Sequence, residues 1–230
     1  MQAFIDWLNQ LQLGMVWDYA VIIAASMLCI MFHEVSHGVV ALKLGDPTAR
    51  DAGRLTFNPI KHVDIWGLLM MAIFRFGWAK PVPIDMRNFK HPVRDMAITA
   101  AAGPVSNVIL AFLALCIRAG AIYVNQKTGG VISEFIITFT EYTAILSVGL
   151  AVFNVIPIPP LDGSKVLNSL LPQNVYYKIL RYERYGFLVM MLVLYTGILD
   201  TPLDFCRNAL LSGLGTISAF PYYILRGIFG

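Results

Sequence analysis

Three ionisable side chains fall within five positions of a long apolar run: His33, Glu34 and His37, in the order His-Glu-Val-Ser-His. On a helix, residues i and i+4 share a face about one turn apart, so both imidazoles can reach one ion. Neutral imidazole suits zinc, and a carboxylate beside the pair can take a proton from water that the metal acidifies. The chain has four His and four Glu, and chance gives this pattern on the order of once in a thousand such sequences. The plainer alternative is two histidines bonded within a helix–helix interface, with Glu34 paired to one. Charged groups at membrane depth are costly and usually mark function.

Two histidines make half a tetrahedral site. A catalytic zinc takes a third protein ligand and keeps the fourth position for water. The candidates are His62, Asp64, His91, Glu141 and Asp162. His62, Asp64 and His91 lie among basic residues, where solvated or structural roles are the default. Glu141 sits near the far end of its apolar run. Asp162 follows Pro157, Pro159 and Pro160, which cannot continue a helix. Irregular backbone at membrane depth is tolerated only when buried in protein or lining a wet cavity. The sidedness derived below puts this break at the same end as His37, so Asp162 is the expected third ligand. Its plainer alternative is a helix N-cap.

Asn107 and Asn154 are amides in apolar runs, where a polar group must find a partner. Each either bonds between helices or meets substrate. Asn154 lies two turns before Asp162 and could hold the substrate backbone or a developing oxyanion. Arg75, Arg118 and Glu141 read as snorkelling or rim charges.

The elements that must position these groups follow from composition. Apolar types make up 57% of the 230 residues and charged types 13%, with a mean hydropathy of +0.66. A soluble domain carries roughly 25% charged residues. Disorder, collagen-like repeats and a disulfide scaffold are excluded, and a net charge of +3 is too diffuse for nucleic acid. Spans of about 20 apolar residues are expected near 17–42, 96–117 and 135–161, with shorter ones at 186–199 and 208–225. Ile65 to Phe74 is too short to cross and is expected to be re-entrant or interfacial. Basic residues favour the cytoplasmic side. An amino terminus outside places 14 of 17 there, leaving Arg118, Lys127 and Arg207 outside. The active site then faces the cytoplasm.

Between the first two spans, Arg54 to Phe57 alternates polar and apolar, and Trp78 to Ile84 is kept extended by its prolines. Both read as short strands, the second an edge. They either pair with each other or offer backbone partners to an unwound substrate by strand addition.

Several spaced motifs resemble the site-2 protease family of intramembrane zinc metalloproteases. His33 to Gly38 (HEVSHG) and Asn154 to Gly163 (NVIPIPPLDG) resemble its two signature motifs, in order. Gly103 to Asn107 (GPVSN) resembles its GPxxN element, while Arg54 to Asp64 and Gly77 to Ile84 resemble the small bacterial and archaeal subgroup. The likeness spans roughly residues 20–170. It implies a core of three helices carrying His33, His37 and Asp162 as ligands of one zinc per chain, with Glu34 as acid/base. It favours a substrate or oxyanion role for Asn154, and implies a prokaryotic plasma membrane and no PDZ or CBS domain.

The expected fold is therefore an all-α polytopic membrane protein: a three-helix catalytic core, one or two further spans, and a short re-entrant or β-strand segment between the first two core spans. Residues 1–230 form one membrane-embedded peptidase domain with its core at about 17–170. The expected activity is hydrolysis of peptide bonds in or near transmembrane segments of membrane proteins. The rival is a zinc-binding membrane protein without hydrolysis, a metal transporter or scaffold. A transporter needs carboxylates or histidines along a path, whereas here they cluster at one depth. Uncharged spans exclude a soluble zinc protease.

Overall fold

The computed structural model describes residues 13–67 and 79–229. The described chain is helical with no strands. Three helices are long and apolar enough to cross a membrane: α1 (Leu13–Leu44), α2 (Pro92–Thr128) and α3 (Val131–Asn154). A short helix α4 (Asp162–Asn168) follows, then α5 (Gln173–Tyr195), α6 (Asp200–Ile217) and α7 (Phe220–Phe229). The apolar run 186–199 breaks after Tyr195, and the chain there bends by 88° into α6 and α7. Gly197, at φ 67°, supplies the left-handed residue the bend needs.

Between the crossing helices there is no hydrophobic drive, so close approach depends on small side chains. Ala111 and Ala114 of α2 meet Ala144 and Val148 of α3, all buried, with Leu210, Leu211 and Leu214 of α6 packed alongside. Cys29 ties α1 to α3: its thiol donates to the Thr143 carbonyl at 3.5 Å and accepts from the Ser147 hydroxyl at 3.1 Å. The outward faces carry exposed Ile109, Leu113 and Leu192, as lipid-facing helices do.

The α3 helix stops at Asn154, before the end of the apolar run at Leu161. Pro157 has no N–H to continue the ladder, and the residue before a proline is pushed out of the helical region. The chain folds back so tightly that a side chain at Gly163 would collide with the Val155 carbonyl. That fold-back is what returns Asp162 to the helix bundle.

The expected strands do not form. Among the described residues, no backbone bond joins 54–57 to 79–84; the nearest runs from Lys80 N–H to the carbonyl of His62, beyond the first stretch, at 2.9 Å. Residues 79–85 instead form an extended stretch that ends in a 3₁₀ turn at Met86–Asn88, a strap fastened by side chains. Arg54 Nη2 donates to the Lys80 carbonyl at 2.7 Å. The buried Asp46 accepts from Asp85 N–H and Asn88 Nδ2, each at 2.7 Å, and also from the Thr48 hydroxyl. Burial alone would raise the Asp46 pKa; the Thr48 and Asn88 side chains and two backbone donors outweigh it and hold the carboxyl below its usual range. Prolines 81 and 83 supply no ladder donors, so pinning by side chains replaces pairing. Trp78 and most of Ile65 to Phe74 lie outside the described residues, and so does the re-entrant reading.

Candidate metal centre

α1 presents His33 and His37 one turn apart, and α4 brings Asp162 against them. His33 Nε2 and His37 Nε2 each lie 3.1 Å from Asp162 Oδ2 and 3.1 Å from one another. All three residues are buried. Ligand atoms around a tetrahedral zinc with bonds of 2.0–2.1 Å stand about 3.3 Å apart. The nearly equilateral triangle is therefore the size that ion requires, and two imidazoles with one carboxylate are a donor set it favours. Asp162 occupies the first turn of α4 rather than its cap. Its carboxylate is turned to the imidazoles, so the N-cap alternative fails.

The ring of His37 is held from behind. Its Nδ1 lies 2.8 Å from the Thr99 carbonyl of α2. A carbonyl only accepts, so Nδ1 carries the proton and the Nε2 lone pair faces the triangle. The α2 backbone can lie this close because of Gly103. A Cβ there would sit 2.5 Å from His37 Nε2 and 2.6 Å from His33 Cε1.

The front of the site is open. Glu34 is half-buried, and its Oε2 accepts from Val82 N–H of the strap at 2.8 Å. A cavity of about 170 Å³ is lined by His33, Glu34, His37, Val82, Asn154 and Lys165. Beside it lies an apolar cavity of about 650 Å³ reaching Ile30, Phe153, Phe187 and Met190. A helix-borne pair of imidazoles, a carboxylate beside them and a second carboxylate facing a cavity is an arrangement suited to activating water.

Residues 118–196 match the family model Peptidase family M50. The Bacillus subtilis protein named "Putative zinc metalloprotease YwhC" is 38% identical over 166 residues, covering 72% of this chain and 76% of its own length. The chain belongs to peptidase family M50, the site-2 protease family. Its members' description makes it a zinc metalloprotease, and its long apolar helices make it a multi-pass membrane protein. Rip2 of Mycolicibacterium smegmatis, named in the same terms, is 27% identical over 192 residues, covering 82% of this chain and 71% of its own. No solved structure matches the chain.

The two amides of this M50 chain part company. Asn154 lines both cavities, with its Nδ2 donating to the Leu150 carbonyl at 2.9 Å. Asn107 is fully buried behind His33, away from the cavities. The rejected ligand candidates have other partners. His62 Nε2 donates to the Thr56 carbonyl at 2.8 Å, Asp64 accepts from Gly67 N–H at 2.9 Å, and Glu141 pairs with Arg118 at 3.3 Å. His91 precedes α2, with its backbone N–H on Asp95. Sequence reasoning missed two neighbours of the site. Lys165 Nζ lies 4.0 Å from Asp162 Oδ1, at a spacing of i+3 that a helix makes adjacent. Val82 was expected only as one of the backbone donors open to a substrate strand, and a local pattern could not show that its N–H meets Glu34. That donor is committed to Glu34, so it is not available to a substrate strand.

Proposed function

We propose that His33, His37 and Asp162 hold one zinc and that Glu34 moves the protons of peptide hydrolysis. The triangle of donor atoms at 3.1 Å beside an acid in an open cavity carries this reading. When bound, the metal supplies a Lewis acid that acidifies water and polarises the scissile carbonyl. Glu34 takes the proton from the attacking water and delivers it to the leaving amine. Val82 N–H holds Glu34 Oε2, which leaves Oε1 to face the reacting atoms. Asn154, with one amide proton on Leu150 and one left over, supports the substrate carbonyl or the oxyanion.

The substrate is a transmembrane segment of another protein, presented unwound. A helical peptide bond is shielded by its own ladder, so cleavage needs an extended chain, and the large apolar cavity suits the side chains of such a segment. Substrates with Gly, Asn or Pro near the scissile bond are cut faster, because unwinding them costs less. The basic residues favour an amino terminus outside and a site toward the cytoplasmic side of a prokaryotic plasma membrane. A transporter or scaffold reading is less favoured by the metalloprotease relatives.

Metal analysis together with cleavage of a single-span model substrate tests the assignment. The purified protein should hold about one zinc per chain. His33→Ala and His37→Ala should each lose most of it, and Glu34→Gln should keep it while losing cleavage. Full zinc in the double histidine variant would overturn the ligand set.

A further inference from the structure

Thr99, Gly103 and Asn107 recur every four residues, so they form one stripe down α2. The stripe runs behind both imidazoles. Thr99 offers His37 a carbonyl, Gly103 offers the space, and Asn107 stands against His33, its Nδ2 3.3 Å from His33 Nδ1. Asn107 is 0% exposed, and its Oδ1 is buried with no hydrogen-bond partner.

A neutral imidazole has one N–H. His33 can turn a lone pair of Nε2 toward a metal only when that proton sits on Nδ1. An Nδ1–H cannot face an amide NH₂, because both are donors. A half-turn of the amide about its Cβ–Cγ bond exchanges Oδ1 and Nδ2 within the same volume. Oδ1 then accepts from Nδ1–H. The half-turn leaves Nδ2 where Oδ1 had stood, so the needs of the amide alone do not choose between the two orientations. The metal chooses, because it requires Nε2. Ligand histidines almost always donate their second ring N–H to an acceptor, and removing that acceptor typically weakens metal binding.

We infer that Asn107 is a positioning residue for the metal: its Oδ1 accepts from His33 Nδ1–H and fixes the tautomer and tilt of that ring, as the Thr99 carbonyl does for His37. It makes no contact with substrate. This rests on His33 and His37 being ligands.

The test is zinc affinity of the full-length protein in detergent, measured by competition with a chromophoric chelator. Asn107→Leu, similar in size but without an acceptor, should bind zinc about 10- to 100-fold more weakly. Asn107→Asp keeps the acceptor and should stay within a few-fold of the parent. Unchanged zinc affinity in Asn107→Leu with cleavage lost would mean a substrate contact and overturn the inference, as would equal weakening in both variants, the mark of a packing role. If Asn107→Leu does not fold, the zinc-loaded parent labelled with ¹⁵N-histidine decides. Both site imidazoles should then carry the proton on Nδ1, and a His33 bound to metal through Nδ1 would overturn the inference. Zinc that survives the double histidine substitution ends this inference and the ligand set together. Zinc lost in the histidine variants but unaffected by Asn107→Leu ends this inference alone.

Discussion

The two sides of the metal centre are built differently. Behind the imidazoles, α2 presses a bare backbone, a carbonyl and a fully buried amide against the rings. In front, Glu34 and Asn154 face open cavities, and one backbone N–H of an extended strap reaches Glu34. The rear is buried and close-packed, where small changes in volume are felt. The front keeps room for water and substrate. Support behind the imidazoles comes from α2, whereas the open face is made by Glu34, the end of α3 and the strap, so on the proposed reading metal binding and its use can be broken separately.

The sharpest separation comes from one substitution on each side. Glu34→Gln should reduce cleavage by roughly 10²- to 10⁴-fold, the usual contribution of a general base, with zinc retained. Gly103→Val should instead lose zinc, and cleavage with it, because its side chain occupies the place of the imidazoles. Metal content and cleavage measured on the same preparations check this. If Gly103→Val keeps a full complement of zinc, the close rear packing is not what orients the rings.

Asn154→Ala belongs to the front. A donor to a developing oxyanion contributes on the order of 10²- to 10³-fold in kcat, and zinc affinity should not change. An effect confined to KM would instead assign Asn154 to ground-state binding.

Val82→Pro removes the donor that holds Glu34 without changing charge. Hydrogen bonds to charged groups contribute about 1.5–3 kcal/mol, and part of that reaches the barrier, so a loss of roughly tenfold in kcat with normal zinc is expected. A rate equal to the parent's would show that Glu34 needs no support from the strap.

The smallest expected effect concerns the strap's latch. The carboxyl of Asp46 is held below its ordinary value, chiefly because donors from Thr48 and Asn88 overcome its burial. Such a group adds stability above the ordinary carboxylate value and loses it as pH falls through the depressed one. Protection of residues 79–88 from limited proteolysis should therefore persist from neutrality down to about pH 4 and fail only below it. Loss of protection already near pH 6 would show that the Asp46 carboxylate is not the latch.

How much of this was legible beforehand depended on the range of each interaction. The His-Glu-Val-Ser-His pattern is local, so helical geometry alone puts both rings on one face. Asp162 was reachable because three prolines announce an irregular backbone, although it meets His33 across 129 positions of chain. The strand readings of 54–57 and 78–84 failed over the described residues because alternation and proline report an extended chain, not its partners. The partners turned out to be Arg54, Asp46 and Glu34 side chains. Asn107 and Asn154 looked alike for a related reason: an amide in an apolar run needs a partner, but composition does not say which.

The sequence by itself determined that the chain is a membrane-embedded helical protein, and that two imidazoles and an acid share one turn of one helix. Those properties follow from composition and from a period of 3.6 residues, and both act over short stretches of chain. Only the tertiary structure decided which amide stands behind a ring and which faces the cavity, that the strap is pinned rather than paired, and that Val82 lends its N–H to Glu34. These depend on which helix faces which across long sequence separations. In a bilayer that choice is set by close packing and by the need to satisfy every buried polar group, neither of which a local pattern records.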